Sequence, residues 1–116
     1  MSFKQKYSLN DRFNEAKKVM DKYPDRVPVI CEKDYKARND CPNIDKNKYL
    51  VPIDLTIGQF LYVIRKRMKV SPEKALFLFV NGTIPATSSS IYSVYYTHKD
   101  LDNFLYVTYS FENVFG

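Results

Sequence analysis

The sequence has no tryptophan, only three glycines, a single histidine and two cysteines in 116 residues. Three scattered glycines cannot build a phosphate-cradling loop. One histidine leaves no room for a histidine-rich metal site, and two cysteines make neither a disulfide framework nor a zinc site. No long apolar run is present. The longest, Ala75–Val80, is far short of the ~20 residues of a membrane-spanning helix. The opening residues MSFKQKYSLN lack the apolar stretch of a secretory signal. A soluble cytoplasmic or nuclear protein is expected, in which Cys31 and Cys41 remain free thiols. Cys31 sits in the apolar stretch Val27–Cys31 and should be buried. Cys41 lies in a polar stretch and should be exposed.

What is abundant is aromatic and basic. Ten Tyr and eight Phe contribute to a 45% apolar composition, enough to fill one core in a chain of this length. Lysine and arginine number 18 against 13 acidic residues, for a net charge of +5. Most of the excess lies in front: residues 1–48 hold 12 basic and 8 acidic groups, residues 49–116 hold 6 and 5. Such a field suits acidic partners or an anionic membrane face. Nucleic acid is not an expected partner, because no Gly/Arg tract, zinc finger or RNA-binding motif accompanies the charge.

Hydrophobic spacing outlines the elements. Phe13, Ala16, Met20 and Tyr23 form a stripe at steps of three and four, which predicts a helix over Asp11–Tyr23, capped by Ser8 or Asn10 and ended by Pro24. Upstream, Phe3–Tyr7 either forms a helical turn or frays, and fraying is the simpler reading. Val27–Glu32 reads as a strand, residues 34–47 as a polar loop and Lys48–Ile53 as a second strand. Pro52 within that strand cannot donate to a ladder, so the strand should be an edge. Thr56–Met68 carries a full stripe of Ile57, Phe60, Leu61, Ile64 and Met68. Thr56 and Gln59 have capping-box spacing, and Arg65–Lys66–Arg67 with Lys69 suit the helix end. Ala75–Val80 reads as a strand covered on both faces, Asn81–Gly82 as a turn, Ile91–Thr97 as a short helix and Phe104–Tyr109 as a last strand. A hairpin, a helix packed across it and further strands make an α+β domain. The expected topology is a ubiquitin-like β-grasp, a four-stranded mixed sheet with a packed helix, preceded by an N-terminal helical extension. The expected parts are the extension (1–24), the β-grasp core (25–111) and a flexible tail (112–116).

Catalytic constellations are missing. His98 lies in a polar turn, no Ser or Cys carries a nucleophile motif, and Asp100 and Asp102 beside Lys99 read as a solvated loop. The chain is not expected to be an enzyme, to hold a metal or to need a cofactor. Two other features are suggestive. The chain ends Phe115–Gly116; a glycine carboxylate has no side chain to hinder passage through a narrow enzyme channel. The edge strand around Lys48–Ile53 offers backbone groups to which an extended peptide could add, with Tyr49, Val51, Pro52, Leu55 and Val63 as nearby apolar side chains. These side chains could equally complete the core.

Four blocks carry a resemblance: KYPDRVPVICEK (22–33), KYLVPIDLTIGQFLYVIRKRM (48–68), ALFLFVNGTIPATSS (75–89) and FLYVTYSFENVFG (104–116). In this order and spacing, from about Asp11 to Gly116, the chain resembles the ubiquitin-like autophagy modifiers. This is the autophagy-related protein 8 family, which includes light chain 3 and the GABA type A receptor-associated protein. The first two blocks lean towards the receptor-associated branch. Two departures stand out: the 34–47 loop is longer, with Cys41–Pro42 in it, and Leu101–Asn103 replaces an acidic-glycine run.

The resemblance implies conjugation of Gly116 to phosphatidylethanolamine by ATP-dependent activating and conjugating enzymes. A cysteine protease would cut after the glycine, with Phe115 and Gly116 as its recognition residues. It also implies two pockets for cargo receptors and adaptors bearing a short aromatic-x-x-aliphatic motif. Glu15, Val19, Pro28, Ile30, Lys48, Leu50 and Phe104 match the aromatic pocket. Tyr49, Val51, Pro52, Leu55, Phe60, Val63 and Ile64 match the aliphatic one. Lys46, Lys48, Arg65, Arg67 and Arg26 would face acidic residues flanking the motif, although Arg26 could instead pair with Asp25 or Asp21. The protein would be cytoplasmic when free and on autophagosomes or related vesicles when lipidated, where Phe3, Lys4, Lys6 and Tyr7 could touch an anionic membrane. The alternatives are a non-covalent peptide-binding adaptor in vesicle trafficking and a small basic RNA-binding or scaffold domain.

Overall fold

The computed structural model describes residues 1–114; Phe115 and Gly116 lie outside the described residues. The elements run α1 (Phe3–Lys6), α2 (Leu9–Lys22), β1 (Arg26–Lys33), β2 (Lys48–Pro52), α3 (Ile57–Met68), β3 (Phe77–Phe79), α4 (Ile91–His98) and β4 (Leu105–Ser110). The sheet order is β2-β1-β4-β3, with β1 and β4 parallel at the centre and antiparallel strands at both edges. This is the expected mixed four-stranded ubiquitin-like sheet, with two helices ahead of its first strand.

The two central strands bury both faces. Val27, Val29 and Cys31 of β1 enter the main core with Phe60 and Ile64 of α3, Ile91, Val94 and Tyr95 of α4, and Leu105, Val107 and Tyr109 of β4. Ile30 points the other way and joins Phe3, Ala16 and Phe104 in a second, smaller cluster beneath α1 and α2. The alternation follows from the period-2 geometry of strands.

Local signals explain most boundaries. Thr56 and Gln59 form the capping box that starts α3, a contribution of about 1 kcal/mol. Gly58 packs closely there: a Cβ would meet the Thr87 carbonyl oxygen at 3.3 Å, tighter than an ordinary contact. No glycine ends α3: Lys69 closes it in the left-handed conformation (φ 58°). Asn81 (φ 49°) and Gly82 (φ 75°) make the two-residue turn between Val80 and Thr83, whose backbones exchange bonds of 2.8 and 3.0 Å; both positive angles suit Asn-Gly.

Five expectations are corrected. Phe3–Tyr7 is not frayed: Ser2 and Gln5 cap α1, Phe3 is buried against Phe104 at 5.1 Å between ring centroids, and Lys4 pairs with Asp100 at 2.7 Å. The stripe on α2 is shifted. Phe13 and Tyr23 are exposed while Ala16 is fully buried, because Arg12 takes a buried place and rotates the contact face. Asp102 does not lie in a solvated loop. It is completely buried and bonded to Arg12. Cys41 is buried, because the 34–47 loop folds back and sends Cys41, Ala37 and Ile44 to the main core. The run Ala75–Val80 contains only a three-residue strand at the second edge of the sheet. Leu78 and Phe79 are buried but Phe77 is half-buried; an apolar run need not be central. Cys31 is buried as expected, and both cysteines are free.

Candidate functional site

Strand β2 fixes the site. Its register pairs Val27 with Val51, Pro28 with Leu50 and Val29 with Tyr49. The flanking bonds, Cys31 N–H to Asn47 O at 2.7 Å and Ile53 N–H to Asp25 O at 3.1 Å, set the alternation. Tyr49 and Val51 bond inward to β1, and Lys48 and Leu50 turn their N–H and C=O groups to the outer edge. Pro28 and Pro52 both fall at non-bonded positions, so neither missing N–H breaks this ladder.

Side chains alternate with the backbone. Tyr49 and Val51 point into the main core, where Tyr49 meets Phe60 edge-on at 5.6 Å. Lys48 and Leu50 point to the opposite face, beneath α2. There Glu15, Val19, Pro28, Lys46, Lys48, Tyr49, Leu50 and Phe104 line a cavity of about 240 Å³. Lys48 Nζ reaches Glu15 Oε1 at 2.8 Å, an ion pair joining β2 to α2 at the cavity wall. Six of the seven residues matched to an aromatic pocket line this cavity. The seventh, Ile30, is buried in the cluster that holds Phe104. Lys46 and Tyr49 line it as well, and Lys46 Nζ sits 5.1 Å from the Tyr49 ring centroid.

Residues matched to the aliphatic pocket divide. Tyr49, Val51, Phe60 and Ile64 belong to the core. Pro52 and Leu55 are half-buried and Val63 is exposed. Leu55 and Val63 line an open cavity of about 580 Å³ with Gly58, Gln59, Tyr62 and Thr87. The Tyr49 hydroxyl has no hydrogen-bond partner among the described residues, and burial pushes its pKa up to about 12.

The basic residues are more committed than the resemblance suggests. Arg65 donates to the carbonyls of Ser71 (3.4 Å) and Lys74 (2.6 Å), pinning the loop after α3. Arg67 pairs with Asp45 at 2.9 Å, and this hydrogen bond holds the Asp45 carboxyl below its ordinary pKa. Arg26 pairs with neither Asp25 nor Asp21 through any described bond. It donates to the Leu50 carbonyl at 3.3 Å, one of the outward acceptors on the edge.

A buried network supports the cavity from below. Arg12 Nη1 reaches Asp102 Oδ2 at 2.6 Å. The Tyr106 hydroxyl donates to the same oxygen, and Phe104 N–H donates to Asp102 Oδ1 at 2.8 Å. This clamps α2, which carries Glu15 and Val19, to the chain entering β4, which carries Phe104. Spacing could not reveal an arginine and an aspartate 90 residues apart. The one local sign is Asp102-x-Phe104, the spacing of an Asx turn. No histidine chemistry is assembled: His98 Nδ1 lies 3.1 Å from Asn81 Nδ2. No metal-ligand cluster is found among the described residues.

An edge strand, a cavity beneath α2 and a mixed sheet together define a recognisable arrangement. A family pattern described as "Autophagy protein Atg8 ubiquitin like" matches residues 11–116. The chain belongs to this family. It is 57% identical over 115 residues to autophagy-related protein 8 of Mycosarcoma maydis, covering 99% of this chain and 96% of that one. The protein of the same name from Saccharomyces cerevisiae is 55% identical, covering 99% and 97%. Among solved structures, the crystal structure of Trypanosoma brucei ATG8 superposes with a TM-score of 0.89 at 42% identity, covering 95% of this chain and 93% of that one. The Atg8 family pattern begins at Asp11, inside α2, so it leaves out α1; the alignments with relatives span almost the whole chain. No helix among the described residues is long and apolar enough to cross a membrane.

Proposed function

We propose that this chain is a ubiquitin-like autophagy modifier, joined through Gly116 to phosphatidylethanolamine, that recruits cargo receptors and adaptors to autophagic membranes. The observation that carries the reading is the 240 Å³ cavity beside the outward-facing backbone of Lys48 and Leu50. A short extended segment adds to that edge as a strand. Its backbone supplies the hydrogen bonds and its aromatic side chain fills the cavity. The aliphatic residue three positions on is taken up near Pro52, Leu55 and Val63. Acidic residues flanking the motif meet Lys46 and Lys48, which speeds encounter and makes it salt-sensitive.

The covalent step is a condensation. ATP adenylates the Gly116 carboxylate with release of pyrophosphate, and an enzyme thiolate displaces AMP to give a thioester. The phosphatidylethanolamine amine then attacks the carbonyl, forming an amide and returning the thiol. A cysteine protease of the same system cuts after Gly116, with Phe115 and Gly116 as its recognition residues. The tail 112–116 serves as the substrate segment and the remainder as the binding domain. Localisation follows: cytoplasmic when free, and on autophagosomes or related vesicles when conjugated.

The test is conjugation in vitro with ATP, the family's activating and conjugating enzymes and phosphatidylethanolamine liposomes. The expected result is a mass gain equal to the lipid less one water, lost in Gly116→Ala. No adduct, with the enzymes active on a control relative, overturns the conjugation reading. In that case the groove alone would remain, as in a non-covalent trafficking adaptor.

A further inference from the structure

The long 34–47 loop folds onto the root of the C-terminal tail. Asp34 N–H donates to the Tyr109 carbonyl at 2.9 Å, and Thr108 Oγ1 donates to Asp34 Oδ2 at 2.9 Å. Tyr109 Oη donates to the Pro42 carbonyl at 2.7 Å, and Lys33 Nζ to the Cys41 carbonyl at 3.1 Å. Outside this inner layer lies a ring of charge. Arg38 Nη1 lies 3.8 Å from Glu112 Oε2, and Arg38 Nη2 lies 3.2 Å from Asp40. Lys74 Nζ lies 3.8 Å from Asp40 and 4.7 Å from the Phe111 ring centroid. Arg65 anchors Lys74 through its carbonyl.

We infer that this loop is a positioning collar for the tail: Arg38 on Glu112 and Lys74 on Phe111 set the direction in which Asn113 and Val114 leave the domain, and so present the tail to the enzymes that act at Gly116. The inference rests on the proposed modifier reading. Its physical basis is pre-organisation. An enzyme that captures an extended tail has an apparent affinity reduced by the fraction of time the tail points correctly. Contacts at the root raise that fraction without touching the reacting carboxylate. Arg38 is therefore a positioning residue, and its removal should act through KM with kcat preserved.

The test uses the full chain extended beyond Gly116 by a reporter, cleaved by a cysteine protease of the family. Arg38→Glu should lower kcat/KM about three- to tenfold through KM, since an exposed pair is worth less than tenfold and reversal replaces attraction by repulsion. The charge swap Arg38→Glu with Glu112→Arg should recover the rate to within about twofold. Amide exchange at Asn113 and Val114 should quicken in the single variant and recover in the swap. Binding of an aromatic-x-x-aliphatic peptide should stay unchanged throughout, which separates the effect from misfolding. Cleavage of Arg38→Glu at the wild-type rate or faster, or failure of the swap to recover it, overturns the inference. If wild-type chain is not cleaved, the modifier reading fails on its own, and the exchange comparison still decides whether the collar orders the tail.

Discussion

The Arg12–Asp102 pair should dominate the stability of the α2 face. Asp102 has no exposed side-chain surface and Arg12 retains 10%. The carboxylate accepts from Arg12 at 2.6 Å, from Phe104 N–H at 2.8 Å and from the Tyr106 hydroxyl. Arg12 also reaches the Tyr106 oxygen at 3.2 Å and the Tyr7 carbonyl at 3.1 Å. Asp102→Asn keeps the shape but withdraws the charge that compensates a nearly buried guanidinium. Breaking one side of such a pair costs about 3–5 kcal/mol. Arg12→Met leaves the carboxylate with its two other donors and should cost about 2–3 kcal/mol. A domain of this kind has about 5–15 kcal/mol in all, so Asp102→Asn removes a large fraction. With both changes the second no longer strands a partner, so the double variant should fall short of the sum by about 2 kcal/mol. Urea unfolding of the four proteins at neutral pH gives the cycle. A cost below about 1 kcal/mol for Asp102→Asn, or additivity within about 0.5 kcal/mol, would refute a buried, mutually dependent pair.

Three further outcomes are expected. Leu50→Ala should weaken an aromatic-x-x-aliphatic peptide by about 1–3 kcal/mol while leaving the fold intact, read by calorimetric titration; unchanged affinity would place the peptide elsewhere. Lys69→Gly should raise stability by about 0.5–1 kcal/mol, because Lys69 ends α3 at φ 58°, where glycine carries no Cβ penalty; a lower Tm would show that the lysine is not strained. Burial raises the Tyr49 and Tyr95 hydroxyls to about 12, above the ordinary value near 10. A raised folded-state pKa contributes stability that is full below pH ~10 and lost as pH rises towards 12. Tm should therefore fall across that window with tyrosinate absorbance appearing alongside, and ionisation of all ten tyrosines near pH 10 with Tm unchanged would contradict it.

Much of the architecture could be read from local rules, because local rules decided it. Thr56 with Gln59 starts α3, Asn81–Gly82 turns the chain, and Pro52 limits β2 to an edge; each acts over a few residues. The Leu50 face of β2 was legible for the same reason, since a strand alternates with period two whatever surrounds it. The cavity was readable as a set of residues only through resemblance, because its walls come from α2, β1, β2 and the start of β4.

The sequence by itself determined the types of the elements after α1, the edge character of β2 and the family. The tertiary structure alone decided where the charges went. Asp102 looks like a solvated residue between Leu101 and Asn103, and Arg12 looks like the polar flank of a helix. Only folding brings them to 2.6 Å and makes burial tolerable. Cys41 sits among polar neighbours, yet the loop that carries it closes on Tyr109 and hides it. Arg26, Arg65 and Arg67, all matched by resemblance to face a partner, find carbonyl or carboxylate partners within the chain. A charged side chain takes the partner that long-range folding brings to it, whereas caps, turns and strand edges are settled by neighbours in sequence.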